Sequence, residues 1–420
     1  MELLEDNAKL THLSSGFAPY SGTKEFITWF GPHLIFGCGG VGYDFLEKYL
    51  HRLGEVSKEP FELMLNMLRH FDVDEKVLAV RGRRFEHLQR IFHKENMISL
   101  LSQPGIGEQL RQFEIPEASL QDTESGMSQS PLLADVLGML SHDELEADVQ
   151  RVLRQGFGAC GALGRALSPQ GFAIHPRWKI WVPFGSGGGV GPGLGPRVGA
   201  MLTRLKRAGY MPPVTIIALV PLASVYEIDE EKKSRAQAIN HALFNSVIRR
   251  QNSHTYLIHR RRGDKIYTEE LHGLFDTVIT FGSGQDGEIL SYNDIIEQMV
   301  ELVWQTSFGG AGVEFLATLA NEVRHPTLVD GEMHTSQNED TIKFDGLLGS
   351  GVAVIEFPRE QILVMMAWRR TAELIEASEL NQADVRSEAN VQFEEISDAM
   401  PNYGPSESFS AELRHRLDLM

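Results

Sequence analysis

At 420 residues, with 42% hydrophobic and 23% charged residues, the chain is long enough for two domains and has the composition of an ordinary soluble globular protein. A formal net charge of −18 excludes the basic face that non-specific binding to nucleic acid needs, so no nucleic acid is expected as a partner. Two cysteines, Cys38 and Cys160, support neither a disulfide framework nor a zinc site built on paired cysteines, and a reducing cytoplasm is the compartment expected.

The N-terminal stretch has no basic end followed by an apolar core, as a signal peptide would. The longest apolar run, near Val214 to Ala223, falls short of the roughly 20 residues that cross a bilayer, so no transmembrane segment is expected. His33-Leu34-Ile35-Phe36 predicts a strand that runs directly into Gly37-Cys38-Gly39-Gly40-Val41-Gly42. Phe45, Leu46, Tyr49, Leu50 and Leu53 then follow at helical spacing up to Gly54. Gly37, Gly39 and Gly42 satisfy GxGxxG between a strand and a helix, which fits a dinucleotide-binding fold or an adenylating enzyme of the ubiquitin-activating kind. A dinucleotide fold also wants an acid at the end of a second strand. Glu55 stands near the expected distance, but no strand precedes it.

A helix is expected over Phe61 to Leu68, and a short apolar run covers Val77 to Val80. Arg81, Arg83 and Arg84 form a basic cluster that faces either a phosphate, a neighbouring subunit or solvent. From Glu114 to Ser130 the composition is that of a loop, and Leu132 to Leu153 reads as one or two helices. Gln155 to Gly161 is glycine-rich, and a contact between small residues on packed helices accounts for it as well as a loop does.

Ile180, Trp181, Val182 and Phe184 predict a buried strand, followed at once by a second glycine loop. Val198, Met201, Leu202 and Leu205 mark an amphipathic helix, with Pro196 suited to its first turn and Gly209 to its end. Bare glycines let a backbone approach an anion closely, and the helix N-terminus behind them supplies unsatisfied donors and a partial positive charge. A phosphate is the natural guest. No Lys-Ser or Lys-Thr follows the glycines, so the loop is not a Walker motif. Val214 to Val220 is a continuous β-branched run, as in a strand covered on both faces. His259-Arg260-Arg261-Arg262 reads as a basic surface turn, Phe275 to Phe281 as a strand, and Ser291 onward as a helix with Met299, Val300 and Val303 on one face. Gly351 to Phe357 predicts a strand, Gln361 to Ile375 a helix, and the chain from about Glu376 an acidic mobile tail suited to recruiting a partner protein.

Gly187-Gly188-Gly189-Val190-Gly191-Pro192-Gly193 resembles the GGGTGSG signature of the tubulin/FtsZ superfamily, with Val190 at the threonine and Pro192 at the serine. The Gly37 to Gly42 loop is similar to that family's first phosphate loop, and two such loops at the ends of two strands grip one nucleotide from both sides. The resemblance covers roughly Leu34 to Val303. It implies an α/β fold with a Rossmann-like parallel sheet in a GTPase domain (1–291), a central linking helix (292–306) and a reduced α+β second domain (307–378), with the acidic tail at 379–420.

By the same resemblance, GTP or GDP lies against Gly37, Gly39, Gly40, Gly42, Gly187, Gly188, Gly189, Val190 and Gly191. Asp72 and Asp74 are placed near Mg2+, and the 155–161 glycines beside the terminal phosphate. An acid among Glu227, Asp229 and Glu231 takes the ribose, and Tyr292 and Asn293 take the base, with a helix cap the other reading of Asn293. Laying Gly312 to Ala317 on the family's NxDFxD pattern leaves Glu314 as the one matching catalytic acid. The implied protein is a GTP-binding cytoskeletal filament former that assembles head to tail with itself and hydrolyses GTP at the subunit interface. Val190, Pro192 and the incomplete acidic pattern keep open a non-hydrolysing structural or regulatory relative.

Overall fold

A computed structural model of the chain describes residues 28–54, 58–92, 130–168, 172–221, 255–262, 265–282, 291–308, 347–349 and Arg369. Pro19–Val352 forms one compact unit. A second combines Met1–Ala18 with Ala353–Met420, and within it only Arg369 is described.

In chain order the first unit contains β1 (Thr28–Phe30), β2 (His33–Cys38), α1 (Gly39–Leu53), α2 (Lys58–Leu65), β3 (Leu68–Asp72), β4 (Ala79–Val80), β5 (Arg83–Arg84) and β6 (Gln89–Ile91). Next come α3 (Pro131–Leu140), α4 (His142–Leu167), β7 (Phe172–Ile174), β8 (Trp178–Pro183), α5 (Val190–Arg207) and β9 (Val214–Pro221). The series closes with β10 (Thr255–Arg262), β11 (Lys265–His272), β12 (Thr277–Phe281), α6 (Tyr292–Phe308) and β13 (Leu347–Gly349).

Seven strands form one parallel sheet in the order β13-β12-β9-β8-β2-β3-β6. β2 and β12 are buried along their whole length and β8 and β9 nearly so, which is why their sequences are almost unbroken apolar runs. The chain leaves β2 for β3 on one side and returns to β8 on the other, so strand order reverses between β2 and β8. In open α/β sheets that reversal opens a crevice at the carboxyl ends of the strands. α1 packs against both α5 and α6, α3 against α5, and α2 against α4.

Three local expectations are corrected, and a fourth is decided among its alternatives. The 155–161 glycines lie inside α4, where a Cβ on Gly156 would overlap the Leu34 side chain and one on Gly164 that of Ile174. Gly156 is a packing position, and because the whole stretch is helical the phosphate-loop reading of it falls. α5 begins at Val190, so Pro192 occupies the first turn and Pro196 lies inside the helix. A proline costs no hydrogen bond in the first turn, where the N–H has no intrahelical partner. The His259–Arg262 run sits in β10, paired antiparallel with β11, rather than in a turn. Arg81 and Gly82, both at positive φ, make the two-residue turn between β4 and β5. Arg83 and Arg84 are exposed there and pair with Glu62 and Glu86.

Candidate nucleotide site

The two glycine loops leave adjacent strands. Beyond the last β2–β8 pairing, Cys38 still bridges Phe184 in parallel, so α1 and α5 start side by side at the carboxyl edge of the sheet. Contact between them is direct. A Cβ on Gly39 would lie 2.8 Å from the amide nitrogen of Gly191 and 3.3 Å from Cβ of Val190.

Each glycine has a separate physical role. Gly39 has φ +67°, which an L side chain enters only at a cost. Gly37 and Gly42 let α1 begin against the strands, for a Cβ on Gly42 would sit 2.5 Å from the Gly37 carbonyl carbon and 3.0 Å from the Pro183 oxygen. Gly191 is similarly tight, with the Gly185 oxygen 2.5 Å from its Cβ position. Gly40 and Gly188 open outward instead. Among the described residues no atom lies within 4 Å of a Cβ on Gly188, and the nearest to one on Gly40 is Lys76 Nζ at 4.0 Å. Gly187 is buried and Gly189 half-buried at the α5 N-cap. Val190 is buried against Gly39, so the position that carries threonine in the family signature packs one loop onto the other.

Neither helix supplies its own N-terminal cap or acid. The N-caps of α1 and α5, Cys38 and Gly189, make no side-chain cap hydrogen bond, and neither first turn contains an acid. Two partial positive charges therefore face the same crevice. Lys76 adds a full one, exposed beside Gly40 and 5.0 Å from the centroid of the Tyr43 ring. The sequence reading passed over Lys76; its signal was a lone lysine in the loop after a strand whose polar residues hid it.

That strand, β3, ends in Asp72 next to the first loop, with Cys38 in register with Phe71. Asp72 is buried. Its Oδ1 accepts from the amides of Val73 at 2.7 Å and Asp74 at 3.4 Å, and burial raises its carboxyl to about 6. Asp74 is exposed. Of the two acids, Asp72 shapes the turn and Asp74 faces solvent. Asp72 also occupies the strand end where a dinucleotide fold keeps its ribose acid, yet it is turned in onto its own turn. Among the described residues no three His, Cys, Asp or Glu side chains group as a metal site. Mg2+ needs only one or two protein carboxylates when phosphates complete its shell, and of the two acids Asp74 is the exposed one.

α6 reaches the site through its first residue. Tyr292 donates from its hydroxyl to Asp44 Oδ2 of α1 at 2.6 Å. Asn293 is exposed and does not cap the helix. Ser291 and Asp294 do so reciprocally: the Ser291 amide donates to Asp294 Oδ2 at 3.0 Å and the Asp294 amide to Ser291 Oγ at 3.3 Å. Glu227 and Glu314 lie outside the described residues.

Both thiols are buried, and burial raises Cys38 well above the usual thiol range and Cys160 to about 12. Such thiols are inert near neutral pH, which removes the cysteine relay an adenylating enzyme would use.

Fold and topology together define a doubly wound α/β protein whose two glycine loops meet at the switch point of its sheet. No protein-family profile and no curated sequence matches the chain. Among solved structures it is similar to CetZ1 from Haloferax volcanii, a GDP-bound monomer, at 14% identity and a TM-score of 0.35, over 69% of this chain and 64% of that one. It is similar to CetZ2 from Haloferax volcanii, a GTPγS-bound protofilament, at 15% identity and TM-score 0.35, over 70% and 63%. TubZ of Bacillus thuringiensis serovar israelensis, as a GTPγS-form protofilament, matches at 14% and TM-score 0.32, over 73% and 62%. The chain thus spans less than two thirds of each of these structures. All three are tubulin/FtsZ superfamily members. Among the described residues no helix is long and apolar enough to cross a membrane.

Proposed function

We propose that the chain binds a guanine nucleotide across Gly39–Gly40 and Gly187–Gly191 and assembles head to tail with copies of itself. One observation carries the reading: two helices with uncapped, acid-free N-termini start side by side from adjacent parallel strands, with bare backbone at the point of contact. The resemblance of residues 187–193 to GGGTGSG supplies the preference for guanine. Gly40, Gly188 and Lys76 would face the phosphates, Asp74 the magnesium ion, and Tyr292 with Asn293 the base. Glu227 would take the ribose, and Glu314 of a neighbouring copy would position water for attack on the γ-phosphate. The acidic tail would recruit a partner protein. A cytoplasmic, cytoskeletal role follows from this reading.

A second reading, binding and assembly without hydrolysis, is favoured by Val190 and Pro192. Val190 offers no hydroxyl and is buried between the loops, and Pro192 removes one of the first-turn amides of α5. Phosphate release from GTP at rising protein concentration separates the two. A rate per subunit that climbs with concentration supports an interface-built catalytic site, and absence of release with intact nucleotide binding supports the second reading.

A further inference from the structure

The first glycine loop is held from below by a histidine that no motif contains. His70, in β3, is fully buried, and its Nε2 lies 3.0 Å from the carbonyl oxygen of Gly39. Because that oxygen can only accept, Nε2 carries the proton and Nδ1 is the acceptor, with Gln89 Nε2 at 3.5 Å. Asp72 Oδ2, 3.6 Å from Nε2, lies on the same side of the ring, and the Tyr43 ring meets the imidazole edge-on at 5.8 Å. The ring is thereby fixed from three elements: α1, β6 and the end of its own strand.

In a trans peptide the C=O and the following N–H point in opposite directions, and no peptide described here is cis. Drawing the Gly39 carbonyl toward the buried His70 therefore turns the Gly40 N–H the other way, toward the exposed side of the loop where Lys76 lies. We infer that His70 is a positioning residue for phosphate binding: its Nε2–H locks the Gly39–Gly40 peptide so that the Gly40 amide presents itself to the ligand. The phosphate part of the inference rests on the nucleotide reading above; the locking of the peptide does not.

The test compares two substitutions of nearly equal size, His70→Gln and His70→Met, in the full chain. Glutamine keeps an N–H donor and methionine has none. Binding of a fluorescent guanine nucleotide and amide hydrogen exchange across residues 37–42 of ligand-free protein are measured on each. H70Q is expected to bind within about threefold of the parent and to exchange like it. H70M is expected to lose about tenfold or more in affinity and to exchange faster across the loop while retaining cooperative unfolding. If H70M does not fold, His70→Asn, whose shorter amide stops short of Gly39, takes its place. Equal affinity and equal exchange in parent and H70M, or equal losses in H70Q and H70M, overturn the inference. If the parent binds no guanine nucleotide, the functional reading fails while exchange still decides whether His70 locks the loop.

Discussion

Gly39 and Gly191 touch backbone to backbone: a methyl group on Gly39 would reach to 2.8 Å from the Gly191 amide nitrogen. The helix starts of α1 and α5 are thus one surface, and side chains would push them apart. Gly39→Ala meets both this contact and a positive φ of +67°. A loss of about 2 kcal/mol or more in unfolding free energy is expected, read by urea denaturation. Gly188→Ala is the contrasting case, since no described atom lies within 4 Å of its Cβ position. Stability is expected to change by no more than about 0.5 kcal/mol while guanine-nucleotide affinity falls, because the added methyl stands where a phosphate would approach.

Lys76 contributes charge without shaping the fold. It is exposed beside Gly40. Lys76→Met is expected to weaken GTP binding about tenfold at low salt and less at high salt, with an unchanged unfolding midpoint. Titrations at two ionic strengths check it.

Asp72 gives a pH signature. Burial raises its carboxyl to about 6 in the folded protein, above the ordinary aspartate value of about 3.9. The folded state therefore binds the proton more tightly, and this contribution to stability, present below pH ~3.9, is lost as pH rises through about 6. Asp72→Asn, which keeps an oxygen for the Val73 and Asp74 amides, is expected to stabilise the ligand-free protein by up to about 3 kcal/mol at pH 7. The gain disappears toward pH ~3.9. Comparing parent and variant cancels the opposing contribution of buried His33, lowered to about 4 by burial.

At the opposite edge of the sheet, Lys179 in β8 is buried and donates from Nζ to the Thr306 carbonyl near the end of α6 at 2.8 Å. Burial lowers its ammonium to about 7. The unfolded chain holds that proton up to pH ~10.4, so stability rises with pH from about 7, with a slope approaching about 1.4 kcal/mol per pH unit. Lys179→Met is expected to flatten the profile between pH 7 and about 8.5, and the comparison with the parent cancels the ionisation of the unfolded cysteines near pH ~8.5, which both chains share. Thermal unfolding at stepped pH reads the slope directly.

How much the sequence disclosed depended on whether burial showed in the residue types. β2, β8 and β9 were legible because strands covered on both faces need apolar runs, and both glycine loops were legible because bare backbone is required where the helices start. β3 was missed, being Leu68-Arg69-His70-Phe71-Asp72, whose polar residues read as a loop. Arg69 and His70 are nonetheless buried with partners the local sequence does not contain: Arg69 bonds Asp148 of α4 through Nε at 2.8 Å, and His70 bonds the Gly39 carbonyl, while Asp72 is buried on the amides of its own turn. The start of α5 was set too late because glycines and prolines at 191–196 argue against helix by propensity. Those glycines are there because Pro131, Phe184 and Gly185 pack too closely for side chains at 191, 193 and 195.

The central claim is that the two loops hold one guanine nucleotide between them. The most direct measurement is equilibrium binding of GTP, ATP and NAD to the purified full-length chain, repeated on G188A. The account predicts that GTP binds in preference to the other two and that G188A, still fully folded, loses that binding. Equal binding of all three nucleotides, or GTP binding that G188A leaves untouched, would contradict it.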